Sequence, residues 1–477
     1  MNSVTNSTKQ DFFLKSALTL KGSFLQIHEV LQWIELKKNE VNIAITKSKF
    51  SELNNWIYND MQGNLKHDSG KFFTIEGINI ETNWGVINKW SQPIINQPEI
   101  GYLGFVAKVF DGVLHLLIQA KIEPGNIGYV QLSPTLQATK SNYSQVHKGK
   151  KPIYLDYFQN ASPKNVLLDQ LQSEQGARFL KKRNRNIIVI AEDEVPIHSN
   201  FIWLTIGQIK QLMQVDNVVN MDTRTVISGI PFCENLVITT ETLKRLKTSA
   251  DNQFIKSAIN KENSVNDFDS LISFLTKFKS NFDLGVNIIG LKNLTNWTYS
   301  DEEISHVNKT FFKIIPVQIE IENREVTTWC QPMVEPVQEG LCVFICKEIN
   351  DVLHFAIQAK LECGNLDIIE FAPTVQCLTG NYKLTPKGTL PFLEYVLSIP
   401  KSQIIFDTLQ SEEGGRFYRE QNRNLLIKAG NELSDELPEN FIWMTLNQMN
   451  TFLKFNNFFN IQARSLIAAI PFTNDGE

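Results

Sequence analysis

The chain is poor in cysteine and histidine, carries little net charge and has no long apolar run. Its six cysteines stand at positions 233, 330, 342, 346, 363 and 377, and none forms a Cys-x-x-Cys pair. Five of the six fall in the second half, so neither a disulfide framework nor a zinc site spanning the chain is expected. The seven histidines form no HxH or HxxxH pair, which removes common metal-ligand spacings, and no metal is expected. No stretch approaches the ~20 apolar residues that cross a bilayer. The start, MNSVTNSTKQDFF, lacks the basic-then-apolar pattern of a signal peptide. The expectation is a reduced, cytoplasmic protein with no membrane partner. A net charge of −5 provides no broad basic field, so no nucleic-acid partner is expected either.

What the sequence does have is a duplication. The segment VLHLLIQAKIEPGN (113–126) matches VLHFAIQAKLECGN (352–365) at ten of fourteen positions, offset 239. LQSEQGARFLKKRNRN (171–186) matches LQSEEGGRFYREQNRN (409–424) at ten of sixteen, offset 238. FIWLTIGQI and FIWMTLNQM follow at offset 240, and Trp56-Ile57-Tyr58 pairs with Trp297-Thr298-Tyr299 at 241. Matches in one order at a nearly constant shift define two copies of one module, a pair of globular domains and not a solenoid. The expected division is an N-terminal tail 1–20, a first repeat 21–235, a linker 236–270 and a second repeat 271–477.

Each copy opens with apolar residues at helical spacing: Phe24, Ile27, Leu31 and Ile34 in the first, Leu271, Phe274, Leu275 and Phe278 in the second. A β-hairpin follows, with Asp111-Gly112 between FVAKVF and VLHLLIQAKI, and Asn350-Asp351 in the same place in the second copy. Ser162-Pro163 predicts the cap of a helix carrying Val166, Leu167 and Leu171 and ending near Gly176. A last helix, capped by Thr205, carries Ile206, Ile209, Leu212 and Met213. Helices flanking strands predict an α+β module.

Polar residues recur at matching positions. Gln119-Ala120-Lys121, Pro134-Thr135, Asn142-Tyr143, Ser173-Glu174, Arg178 and Asn184-Arg185-Asn186 all have counterparts at a nearly constant offset. Apolar packing alone does not explain them, though caps, turns and buried hydrogen bonds are as good an account of any single one. Lys181 and Lys182 read as a solvated helix end, while Arg185 stays open as a phosphate ligand. Trp56 and Trp297 suit either a core or a base-stacking role. His115 and His354, inside apolar strands, read as satisfied core histidines.

Taken together, QLSPTLQATKSNY (131–143), LLDQLQSEQGARFLKKRNRN (167–186), FIWLTIGQI, VNMDTRTVIS (219–228) and their second-half partners resemble the NDP-hexose 2,3-dehydratases over nearly all of residues 21–473. The resemblance implies a tandem duplication of a Nudix-like mixed sheet-and-helix domain, and a homodimer. It implies a dTDP-4-dehydro-6-deoxyglucose substrate that loses water across C2–C3 without a cofactor. A 3-ketoreductase or 3-aminotransferase would take up the product. Substrate contacts carried over by motif fall on Trp56, Thr139, Lys140, Ser141, Asn142, Tyr143 and Ala177. In the second copy they fall on Trp297, Lys360, Gln376, Cys377, Leu378, Asn381, Tyr382, Gly414, Gly415, Arg416 and Phe417. Lys360 stands where the family commonly has arginine, and Ala177 where it has a small polar residue.

The implied reaction needs a base near C3, a donor to the C4 oxygen and an acid for the leaving hydroxyl. Tyr143 or Tyr382 suits the acid or donor, and Lys121 or Lys360 its electrostatic partner. Glu123, Glu174, Glu362 and Glu412 are equal candidates for the base. SEQG and SEEG sit where the metal-binding helix of a Nudix hydrolase would end, without the rest of its glutamate box, and no metal is implied. Alternatives are a non-catalytic nucleotide-sugar binder and a Nudix-type pyrophosphohydrolase.

Overall fold

In this computed structural model the hairpin forms as its turn residues dictate. Asp111 and Gly112 take φ of 49° and 73°, and Asn350 and Asp351 take 51° and 62°, the left-handed pair that a tight turn between twisted strands requires. The structure describes residues 6–143, 151–232, 252–322, 327–377 and 390–472, with side chains for all of these except 6–10, 141 and 142.

Around each hairpin a seven-stranded sheet assembles. In the first repeat the order is Val166–Ser173, Arg183–Ile190, Gly101–Phe110, Val113–Ile122, Phe201–Thr205. Val130–Ser133 is added to the second hairpin strand and Leu136–Ala138 to the first. The contact of 183–190 with 101–110 is parallel, and that of Gly340–Ile349 with Gln421–Ala429 repeats it in the second copy. Both copies also share a register shift, between Val166 and Leu168 and between Ile404 and Phe406. The chain is thus a tandem duplication of an α+β module.

Ser162-Pro163 does not open the expected helix. Residues Pro163–Asn165 make a single 3-10 turn, and Val166–Ser173 is a strand paired antiparallel with 183–190. A one-turn cap and a run of apolar residues did not distinguish the two, and strand partners further along the chain, at 183–190, decided it. Thr205, by contrast, caps Ile206–Leu212 with a full capping box, as does Thr445 in the second copy. The opening helices are Ile27–Asn39 and Phe268–Asn281. The tail and the interval between the repeats each carry a packed helix, Asn6–Ala17 and Gln253–Ile259. Ser16 and Ser257 do the same work in them, each hydroxyl donating to a hairpin-strand carbonyl, of Leu114 or Leu353, at 2.6 Å.

The two copies are not side by side but exchanged. Two smaller five-stranded sheets each borrow a strand: Ile43–Lys47 of the first repeat pairs with Phe312–Ile321 of the second. In return, Leu284–Ile289 pairs with Thr74–Thr82. Between the main sheets, helix Met221–Ser228 packs on Ile461–Ala469, inside an apolar core that contains residues of both repeats. Each of these helices buries an arginine that reaches across. Arg224 donates to the Gln410 side chain at 2.7 Å and to the Ser411 carbonyl at 2.6 Å; Arg464 donates to the Ser173 hydroxyl at 3.3 Å and to its carbonyl. A buried guanidinium is tolerated only with its donors occupied, and these occupy them with the strand ends that precede Glu174 and Glu412.

Candidate active site

Those strand ends lead into a cavity of about 350 Å³ where the first repeat's main sheet meets a turn of the second. The size lies at the lower end of small-molecule sites. Strand 113–122 delivers Lys121 and, just past its end, Glu123. Strand 136–138 contributes Gln137, followed by Thr139. Glu174 follows strand 166–173, while Lys182 and Asn184 stand at the start of 183–190. Asp222 enters from the first turn of helix 221–228. The opposite wall belongs to the second repeat: Trp329 and Gln331 on strand Thr328–Pro336, then Glu413, Gly415 and Arg416.

Four carboxyl groups therefore meet three cations. Glu123 is held on both oxygens, by Gln137 at 2.6 Å and Asn126 at 3.0 Å, with the Lys121 ammonium 3.5 Å away. Glu174 accepts from Asn184 at 2.6 Å, and Lys182 donates to the Glu99 carbonyl. Glu413 accepts the Gly415 N–H at 3.0 Å on one oxygen, while its other oxygen is buried without a partner. Asp222 is 3% exposed, and its Oδ1 likewise has no partner. The Arg416 guanidinium stacks on the Phe73 ring at 4.1 Å and donates to the Gly415 carbonyl at 2.8 Å and to Gln97 at 3.3 Å.

Burial and mutual repulsion set the protonation states. Desolvation, then the neighbouring Glu174, Glu123 and Glu413, hold the Asp222 carboxyl well above the usual range. Burial, followed by Glu123, pushes Glu413 up to about 7, against the pull of Arg416. Burial also raises Glu174, against Arg464 and Lys182, and lowers the Lys182 ammonium. The cavity therefore holds at least one acid, Glu413, that can exchange a proton near neutrality. Among the described residues no group of three His, Cys, Asp or Glu side chains converges to hold a metal ion.

The pseudo-equivalent place in the second repeat keeps Glu362, held by Gln376 at 2.8 Å, and Glu412, held by Asn422. Arg178 stacks there on Phe312 at 3.9 Å, mirroring Arg416 on Phe73. Among the charged side chains of the cavity, three break the mirror: Lys182, Asp222 and Glu413 correspond to Glu420, Gln462 and Gln175. Gln175 donates to Glu412 at 2.9 Å, and both oxygens of buried Glu420 lack partners.

Residues 27–230 and 268–470 match the NDP-hexose 2,3-dehydratase family. The chain belongs to that family. A dTDP-4-dehydro-6-deoxy-alpha-D-glucopyranose 2,3-dehydratase of Saccharopolyspora spinosa is 40% identical over 469 residues, covering 98% of this chain and 95% of that protein. Proteins of the same name from Amycolatopsis orientalis (38% over 461 residues; 95% and 92% covered) and Streptomyces violaceoruber (40% over 431; 89% and 93%) are similar to it as well.

Within this dehydratase fold, the residues singled out by sequence fall in different places. Lys121, Thr139, Gly415 and Arg416 line the cavity, so a wall of the first repeat's cavity is built from a motif of the second. Ala177, the counterpart of Gly415, lies across the mirror, its carbonyl accepting from Gln92 at 2.9 Å. Gly414 and Phe417 sit behind the wall, Gly414 accepting the Gly125 N–H at 2.7 Å and Phe417 packed on Phe179. Tyr143 stands one layer back, its ring 5.3 Å from Tyr102 of the wall and its hydroxyl donating to the Ile100 carbonyl at 3.3 Å. Lys140 lies with it on the short helix Lys140–Tyr143, where the side chains of Ser141 and Asn142 are not described. Trp56 is 6% exposed and packed on Phe73, and its indole N–H donates to the Cys330 carbonyl at 2.8 Å; Trp297 mirrors it onto Ser91. Lys360, Gln376 and Cys377 lie on the second repeat's sheet, Lys360 in register with Glu370 and Cys377 with Leu341. Leu378, Asn381 and Tyr382 lie outside the described residues.

Two expectations about the basic segment need revision. Lys182 is 5% exposed and lines the cavity, so it is no solvated helix end; the segment is a strand entry whose even-numbered members, Lys182 and Asn184, face the cavity. Arg185 forms a two-point ion pair with Asp169 at 2.7 and 2.6 Å, repeated by Arg423 with Asp407. That cross-strand pair explains its recurrence. Sequence reasoning passed over Asp222 and Glu413 as proton carriers. The signal that finds them is the reverse of the one followed: ionisable residues whose counterparts in the duplicate are neutral amides.

Proposed function

We propose that this chain is a dTDP-4-dehydro-6-deoxy-D-glucose 2,3-dehydratase, a hydro-lyase that gives a 3,4-diketo-2,6-dideoxy sugar nucleotide. We place the reaction in the cavity between Lys121 and Arg416. The observation that carries the reading is that cavity's cluster of four carboxyl groups beside Lys121, Lys182 and Arg416, contributed by both repeats, in a chain of this family. A ketone at C4 acidifies the C3 proton, so the elimination needs proton transfers and charge stabilisation but no redox step. Lys121, beside Glu123, suits the donor that stabilises the C4 enolate oxygen.

A cavity lined by more acids than cations suits a diphosphate poorly, so it is assigned to the hexose. Nucleotide and diphosphate then lie toward Thr139–Tyr143, with Tyr143 a positioning residue behind Tyr102. The mixed sheet with its single parallel pair supports a Nudix-like description. A homodimer, a cytoplasmic location and hand-over of the labile product to a 3-ketoreductase or 3-aminotransferase belong to the same reading. No described helix is long and apolar enough to cross a membrane.

The test is to incubate pure protein with dTDP-4-dehydro-6-deoxyglucose and trap the product with an active 3-ketoreductase and NADPH. A 2,6-dideoxy sugar nucleotide is expected. Its absence, with the reductase shown competent, would sink the proposal.

A further inference from the structure

Of the four carboxyl groups in the cavity, two recur in the duplicate and two do not. Glu123 and Glu174 have counterparts Glu362 and Glu412, and in both copies the same amide residues hold them: Gln137 or Gln376, and Asn184 or Asn422. They are part of the module's shared framework. Asp222 and Glu413 are replaced by Gln462 and Gln175. Each keeps one buried oxygen without a hydrogen-bond partner at the cavity wall. An unpaired buried carboxyl oxygen is costly unless a ligand or a proton meets it.

We propose that Asp222 and Glu413, one from each repeat, are the two proton carriers of the elimination, Glu413 the base at C3 and Asp222 the acid at the C2 hydroxyl. The assignment rests on the dehydratase reading above. Glu413 is the better carboxylate, because the Gly415 N–H and the neighbouring Arg416 stabilise its anion. Asp222 faces Glu174, Glu123 and Glu413, with Lys121 as the one opposing cation among its influences. Burial first, and then that surplus of negative neighbours, keeps its proton on, although its place in the first turn of a helix alone would favour the anion.

The proton inventory closes. Glu413 takes the C3 proton, and the electron pair of that bond moves to the C4 oxygen as an enolate. Collapse of the enolate breaks the C2–O bond while Asp222 gives its proton to the departing hydroxyl, which leaves as water. The resulting C3 enol takes the proton from Glu413 at C2 and gives its hydroxyl proton to Asp222. Both groups are then reset, and no oxidant or reductant is consumed.

The duplicate shows that a neutral amide fits the backbone at both positions, so Asp222→Asn and Glu413→Gln are expected to fold. With dTDP-4-dehydro-6-deoxyglucose each should lose ~10²–10⁴-fold in kcat while binding dTDP within threefold of the parent. Two further readouts separate the roles. Glu413→Gln should abolish exchange of the C3 proton into D2O, whereas Asp222→Asn should retain it. A 2-fluoro analogue of the substrate, whose fluoride leaves without a proton, should restore turnover to Asp222→Asn alone. Kcat of either variant within threefold of the active parent would overturn the pair, and so would failure of the fluoride rescue. An inactive parent would instead defeat the dehydratase reading itself.

Discussion

At the scale of single residues, position in the duplication separates structural from chemical roles. His115 and His354 were legible as core residues from their apolar neighbours. Each accepts a backbone N–H on one ring nitrogen, from Ser23 at 3.3 Å or Val265 at 3.0 Å, and uses the other on the carbonyl two residues back. The paired tryptophans are bound into the fold in the same way. Trp56→Phe removes the donor to the Cys330 carbonyl, and an orphaned buried group costs ~1–3 kcal/mol. Denaturant melts should show that loss. Unchanged stability with weakened dTDP binding would move Trp56 to the ligand face. Lys182 was misread because its neighbours in sequence are cations; only the sheet reveals that alternate residues of the run turn inward.

At the scale of elements, local chemistry was readable and pairing was not. Caps at Thr205 and Thr445 and the turns at 111–112 and 350–351 depend on two to four consecutive residues, and each stands where those residues put it. Strand 166–173 depends on 183–190, and strand 43–47 on 312–321, separations that periodicity does not carry. The exchange of strands 43–47 and 284–289 leads to an expectation for fragments. Residues 1–235 or 252–477 expressed alone would each leave a sheet edge unpaired and a shared core open. Each should be insoluble or molten by near-UV circular dichroism, while co-expression should yield a folded pair with dehydratase activity. A half that unfolds cooperatively by itself would show the exchange to be dispensable.

At the scale of the whole molecule, the burial of so many acids couples stability to pH. Glu370, Glu413 and Glu420 are pushed up to about 7 and Glu412 to about 8, each chiefly by burial. Glu174, Glu362 and Asp222 move the same way. Their folded values exceed the unfolded ones, so the native state binds the extra protons. The stability they contribute is full below the unfolded carboxylate range and is lost as pH rises through about 7 to 8. Buried Lys210, lowered to about 7, works in the opposite sense over the upper part of that window, but it is one group against at least four. His115 and His354 are shifted down and matter mainly below their ordinary range. The melting temperature should therefore fall by roughly 2–5 °C between pH 6.5 and pH 8.0. A rise over that interval in a scanning calorimeter would mean that the acids are ionised in the fold and stabilised by their cations.

The reciprocal glycine contacts set a limit on how the two copies can diverge. Gly125 gives its N–H to the Gly414 carbonyl and accepts that of Arg419, and Gly364 does the same with Gly176 and Lys181. A methyl group at Gly125 would fall inside the Phe417 carbonyl oxygen, and one at Gly364 inside that of Phe179. Side chains differ between the copies, as Asp222 against Gln462 attests. The hinge line between the copies has had no such latitude: a carbon atom added to one half would have to be answered by a backbone movement in the other.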